Sequence, residues 1–534
     1  MTTNPVRGRH AGVLVPLFSA TSSRSWGIGE IGDLVPLSGW LRSAGCDLVQ
    51  LLPVNEMAPG DDSPYSAITA MGIDPLYISV WAVDDFAALG GEGALPLAQR
   101  TELGTLRAAR RVEYRHVRAL KLPTLRSCAE RFFAEEWPQS TPRAAEFARF
   151  VEGQAWWLDD FALFRALRDR FDGAAWWRWP RPLLERADEA LNEARRDLAT
   201  DIRFHQYVQW VADEQWHGAR RECAPVMLFG DLPFMVRGDS ADVWARHHAF
   251  RFDATVGVPP DAFSDTGQDW GLPVYRWDVF AKEEDAWIRE RARRSLALFD
   301  GYRIDHLVGF YRTYFIPRDG SPRGFVPAHE SQQRAQGERL MRLFLDSGAR
   351  VIAEDLGTVP DFVRASIKRL GLPGYRVLRW ERDWDEDGQP FHDPLKWPRV
   401  SVATSGTHDT DTLVEWWETS DAAERRALCA IPALKERGLD PSVETCTPAI
   451  RDTLLELLFA SGSDFLIVPI QDVFGWRDRI NTPATHGHDN WTWRLPWPVD
   501  HLPQVDESRA RAETLREWSA RHRRARAARR AGGR

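Results

Sequence analysis

Eight apolar runs of strand length, separated by stretches of helical periodicity, limit what this chain can become. In order they are GVLVPLFS from Gly12, DLVQLLPV from Asp47, VMLFGDLPFMV from Val226 and GYRIDHLVGF from Gly301. RVIAEDL from Arg350, YRVLRW from Tyr375, VATSGTHD from Val402 and DFLIVPIQDVFG from Asp464 follow. Near-continuous apolar strands alternating with helices are the pattern of a parallel sheet covered on both faces. Eight such units close on themselves, so the expected fold is α/β, a (β/α)8 TIM barrel with large helical insertions between barrel strands. Barrels of this kind carry their chemistry at the C-terminal ends of the strands.

Those ends are where the charges fall. The fourth run ends in Arg303, Asp305 and His306, which are costly to bury unless they pair or work. The fifth ends in Glu354 and Asp355, the seventh in His408, Asp409 and Asp411, and the third carries Asp231. A rim network of ion pairs is one reading, but Arg303 is the main basic partner in view. Two carboxylates at one site suit glycoside chemistry, one as acid and the other as nucleophile or base. Asp305 would attack the anomeric carbon, with Arg303 on the same strand face holding it ionised. Glu354 would protonate the leaving oxygen. Asp409, His408 and His306 would bind hydroxyls and stabilise positive charge. A metal site is the competing reading of the same acids and histidines, although no HxxxH spacing supports it.

The rest of the chain divides around this frame. Residues 1–80 form the first part of the barrel and 81–224 a mainly helical insertion. Residues 225–505 complete the barrel with a long lid loop over 253–278, and 506–534 form a basic tail. The stretch Tyr311 to Ala328 reads as irregular. Gly27, Gly29 and Gly32 resemble a dinucleotide loop, but the acidic residue needed after the next strand is not placed for it. Twenty-five tryptophans are many. Aromatic faces stack on sugars, yet packing inside helices is the commoner use. A net charge of −8 argues against general nucleic-acid binding, despite the arginine-rich end. No run reaches membrane-spanning length and the N-terminus has no apolar signal region, so a cytoplasmic protein is expected. The five cysteines are scattered, as reduced thiols are.

The motifs SPYSAITAMGIDPLYI, GDLPFMVRGDSADVW, PPDAFSDTGQDWGLPVYRW, GYRIDH, AEDLG and GTHDTDT occur in one order, followed by INTPATHGHDNWTWR. In these the chain resembles the amylomaltases, the 4-alpha-glucanotransferases or disproportionating enzymes of the alpha-amylase clan. The resemblance implies transfer of α-1,4-glucan segments through a covalent glycosyl-enzyme. It places the nucleophile on Asp305, the acid/base on Glu354, the transition-state stabiliser on Asp409, and supports on Arg303 and His408. It places an active-site loop over Pro259 to Trp270, with Asp261, Phe263, Ser264, Gln268 and Trp270 near the glucan. Tyr65, Asp231 and His306 complete the expected substrate-binding set. No cofactor and no metal are implied, and the expected partners are maltose, malto-oligosaccharides and α-glucans. Departures from the family pattern fall at Thr410, Ala262 and Ala484, and in the segment PRDGSPRGFVPAHESQQRAQG. A plain α-1,4-glucan hydrolase and a non-catalytic glycan-binding protein are the alternatives.

Overall fold

The first and last apolar runs pair with each other, and that pairing closes the sheet. The structure is a computed structural model that describes residues 8–260, 267–483, 485, 487 and 489–524. In chain order its strands are β1 (His10–Leu14), β2 (Leu48–Gln50), β3 (Met227–Leu232), β4 (Phe250–Val258), β5 (Gln268–Tyr275) and β6 (Gly301–Ile304). Then come β7 (Thr313–Pro317), β8 (Gly324–Val326), β9 (Arg350–Ala353), β10 (Gly374–Val377), β11 (Ser401–Thr404) and β12 (Phe465–Pro469). The closed barrel runs β1-β12-β11-β10-β9-β6-β3-β2, with every described pairing parallel. All eight sequence-derived runs supply one barrel strand each, and the fold is the expected (β/α)8 barrel.

Burial explains the continuous apolar runs. Every residue of β1, β2, β3, β6, β11 and β12 is buried. Fully burying a side chain such as Leu228, Ile304 or Ile467 contributes about 1.5–3 kcal/mol. Gly301 has a packing reason: a Cβ there would lie 2.5 Å from the Phe229 ring and from the Arg350 carbonyl oxygen. The register pairs Asp231 with Arg303, and Ile304 with Ala353. It therefore delivers residues 305 and 354 side by side at the rim.

Most of the described part of the segment read as a lid loop is instead two strands. β4 and β5 form an antiparallel hairpin, and β7 and β8 extend it into a four-stranded sheet ordered β5-β4-β7-β8. The stretch read as irregular thus supplies two strands as well. The glycines, prolines and acids here look like turn residues, but cross-strand bonding satisfies the backbone, and irregular register between β4 and β5 absorbs the misfits. Asp261, Ala262, Phe263 and Ser264 lie outside the described residues, as does Ala484.

The insertion is built from helices including Leu97–Ala108, Tyr114–Arg131, Pro142–Arg170 and Ala199–Cys223. The third starts on Thr141, whose hydroxyl accepts from the Ala144 N–H, with Pro142 in its first turn. Trp157, Trp176, Trp179, Trp210 and Trp216 are buried, so here the aromatics pack the interior. Gly29 lies where a Cβ would fall 1.9 Å from the Leu17 carbonyl oxygen, which accounts for that glycine by packing. Below the barrel, helix Asp506–Arg521 buries Leu515 and Trp518. Arg524 is wholly buried beside it and donates to the carbonyls of His10, Phe459, Ser461 and Ser463. All five cysteines are free, and no described helix is long and apolar enough to cross a membrane.

Candidate active site at the barrel rim

Arg303 organises the rim. Its Nη1 donates to both Asp231 oxygens, at 2.9 and 2.7 Å. Its Nη2 lies 2.9 Å from Asp305 Oδ1 and 3.9 Å from Glu354 Oε2. One buried guanidinium therefore touches three carboxylates from three adjacent strands. Burial opposes its charge, but Asp231 and Asp305 outweigh that and raise its pKa further. The Asp231 side chain is fully buried and also accepts from the Tyr65 hydroxyl at 2.7 Å. It braces Arg303 and Tyr65 from behind and does not line the cleft.

Asp305 and Glu354 share that nitrogen but differ in surroundings. The Asp305 side chain keeps 26% of its exposure, whereas Glu354 keeps 11%. Glu354 accepts from the His306 N–H at Oε2 and the Leu356 N–H at Oε1, both at 2.8 Å. The first of these bonds depends on strain. His306 sits at φ 42, a left-handed conformation that a histidine adopts at a cost. Burial pushes the Glu354 carboxyl up to about 7, against the pull of Arg303. It is thus a proton donor within reach of neutral pH. Burial likewise lowers the His306 imidazole to about 4, so it is neutral there.

Asp409 closes the opposite wall. Its Oδ1 accepts from Asn481 Nδ2 at 2.6 Å, and its Oδ2 lies 3.2 Å from His408 Nε2. Burial would raise its pKa, but His408 and Asn481 prevail and bring it to about 2. For His408 burial works downward, and the Asp409 charge more than reverses it. The Tyr65 ring stacks on His408 at 5.4 Å, and Trp491 packs on both at 5.8 and 5.7 Å. Trp491 also has positive φ, at 63.

A cleft of about 480 Å³ joins these groups: Asp305, Glu354 and Asp409 line it together with Arg303, His306, His408 and Tyr65. Gln268 and Trp270 enter from the hairpin, with the Trp270 ring edge-on to His306 at 4.9 Å. Asn481, Trp491, Trp380 and Leu356 also line it and were not singled out from the sequence. The dense polar and aromatic segment after the last strand was the available signal for the first two. Among the described residues no group of three or more His, Cys, Asp or Glu is arranged to hold a metal ion.

Comparison with known proteins points the same way. The family profile described as 4-alpha-glucanotransferase matches residues 15–500. The chain is 36% identical to the 4-alpha-glucanotransferase of Thermus thermophilus, covering 88% of this chain and 92% of that one. It is 31% identical to that of Chlamydia pneumoniae, covering 92% of each. Among solved structures, the amylomaltase from Streptococcus agalactiae in complex with acarbose superposes with a TM-score of 0.81 at 26% identity, covering 97% of this chain and 100% of that one.

Proposed function

Since the chain belongs to the 4-alpha-glucanotransferase family, whose activity is the transfer of α-1,4-glucan segments, we propose that it does so by double displacement with Asp305 as nucleophile and Glu354 as acid/base. The observation that carries this is the shared Arg303 nitrogen. It holds Asp305 Oδ1 and Glu354 Oε2 within the sum of two short contacts, 2.9 and 3.9 Å. That is compatible with the ~5–5.5 Å gap of a retaining pair.

Asp305 attacks the anomeric carbon while Glu354, protonated, gives its proton to the glycosidic oxygen. The distal glucan departs and an ester to Asp305 remains. Glu354, now ionised, takes the proton of an acceptor hydroxyl, whose oxygen displaces Asp305. Two inversions leave the α configuration intact. Asp409, held ionised by His408 and Asn481, stabilises the oxocarbenium-like transition states and binds hydroxyls of the reacting sugar. Tyr65 supports the sugar face, and Asp231 positions Arg303 and Tyr65. The hairpin side chains Gln268 and Trp270 narrow the cleft mouth, which favours a sugar hydroxyl over water. Asp261, Phe263 and Ser264, which the family motif places near the glucan, complete the substrate-binding set in this reading. The substrates are maltose, malto-oligosaccharides and longer α-glucans. A cytoplasmic location accords with five free, scattered cysteines.

Incubation with maltotriose tests the reading. Glucose together with chains longer than maltotriose is the expected product ladder. Only shorter products would mean a hydrolase, and an unchanged substrate would mean a binding protein.

A further inference from the structure

The hairpin wall that bounds the catalytic cleft has a second side. Gln268, Trp270, His306 and Leu356 line the cleft and also line a neighbouring chamber of about 170 Å³. The chamber extends from the Glu354 side of the cleft, because His306 and Leu356 are the two residues whose N–H groups hold Glu354. Its far walls are Tyr314 and Phe325, packed ring against ring at 5.1 Å on β7 and β8. Arg312 lines the chamber as well.

Arg312 is unusual among the arginines near the site. Its guanidinium lies over the Phe325 ring at 4.1 Å, and its Nε is buried without a hydrogen-bond partner among the described residues. Among the described residues no carboxylate pairs with it, and burial alone acts on its pKa, downward. Arg303, a short distance away, contacts three carboxylates. A half-buried cation with no counter-ion among the described residues is costly to maintain. One beside an aromatic-walled chamber that adjoins a catalytic acid is arranged for a ligand that brings the negative charge.

We propose that this chamber receives acceptor sugars carrying an anionic group at the reducing end, with Arg312 as the counter-ion, and that a hexose 1-phosphate is the simplest such acceptor. The inference rests on the transferase reading above. An acceptor that presents its 4-hydroxyl to Glu354 directs its C1 end away from Asp305, toward the chamber. In the transfer step the 4-hydroxyl oxygen bonds to the anomeric carbon of the glycosyl ester. Its proton passes to Glu354, and the ester C–O bond breaks to return the Asp305 carboxylate. The phosphate is bound but not cleaved. The product is a glucan whose reducing end is blocked by phosphate.

The test uses the full-length enzyme with maltotriose as donor and compares three acceptors: glucose 1-phosphate, glucose 6-phosphate and methyl α-glucoside. Products are separated by mass. The expected result is a kcat/KM for glucose 1-phosphate about tenfold or more above that for methyl α-glucoside, and above that for glucose 6-phosphate. Inorganic phosphate should compete with glucose 1-phosphate and not with methyl α-glucoside. In Arg312→Gln the ratio between charged and neutral acceptors should fall to about one, and Arg312→Lys should keep part of it. The ratio is insensitive to how much of a variant folds. Equal use of glucose 1-phosphate and methyl α-glucoside by the unmodified enzyme would overturn the proposal, as would an unchanged ratio in Arg312→Gln. Equal preference for both phosphates would overturn the reducing-end placement. If maltotriose itself is not disproportionated, the transferase reading fails; if it is, and phosphate confers no advantage, only this inference fails.

Discussion

Two carboxyl groups that burial has pushed up to about 7 stand in different regions of the molecule and do different things. One is Glu354 at the barrel rim. The other is Asp33, in the loop before the first helix, which accepts from the Ser25 hydroxyl at 2.6 Å and the Glu30 N–H at 2.7 Å. Beside it Lys121 Nζ lies 2.6 Å from Glu30 Oε1, with both side chains at 0% exposure. Lys121 also donates to the Leu76 and Ile78 carbonyls. Burial draws both members of that pair toward neutrality. Lys121 therefore ties an insertion helix to the loop after β1. The acid strength is alike in the two places; access is not. Glu354 faces a cleft beside a second carboxylate with exposure to spare, whereas Asp33 is enclosed by its own partners. A displaced proton affinity marks a working group only where a substrate can reach it.

Variants can break or sharpen that contrast. The largest effect is expected from Asp305→Asn, which should lower turnover by roughly four to six orders of magnitude while maltotriose still binds. Calorimetric titration with stopped-time product assays checks it, and near-normal turnover would contradict the nucleophile assignment. Glu354→Gln should cost about 10²–10⁴-fold on maltotriose. On an activated aryl glucoside, glycosyl-enzyme formation should be largely spared, because that leaving group needs no proton. Equal damage to formation on both substrates would count against the acid role.

In the enclosed region the readout shifts from rate to stability. Lys121→Met should destabilise the fold by about 3–5 kcal/mol, because Glu30 would be left buried without its cation. Activity per folded molecule should stay near normal; denaturant titration and active-site counting separate the two. The smallest effects are those of pH. The donor kcat/KM should fall as pH rises through about 7, where Glu354 loses its proton. Asp33 keeps its proton in the fold at pH values where the unfolded chain has released it. Its contribution to stability is therefore full below the ordinary carboxyl range and is lost as pH rises toward about 7. Asp33→Asn should flatten that slope in melting temperature between pH 4 and 8 and leave the rate profile in place.

The same contrast governs what could be read beforehand. Asp305, Glu354 and Asp409 stand at the ends of apolar strands, so a local pattern exposes them and the parallel register brings them together. The Glu30–Lys121 pair joins distant residues, one in a glycine-rich loop and one within an arginine-rich helix, and nothing local signals it. The hairpin was hidden for another reason. In QDWGLPVY the glycine and proline read as a turn, and only the β4 partner strand shows otherwise. Asn481 and Trp491 follow the last strand in a segment without periodicity, so their approach to Asp409 and Tyr65 depends on the closed ring.

Closure of that ring joins β1 to β12, and Arg524 seals the seam by donating to carbonyls on both sides of it. A ribosome releases the first of these strands more than four hundred residues before the second. Throughout that interval the nascent barrel keeps an unpaired β1 edge, a place for chaperones or for another unfinished chain to dock. Stalled chains that end before Phe465 should accordingly be digested by protease under conditions that spare chains extending past Arg524.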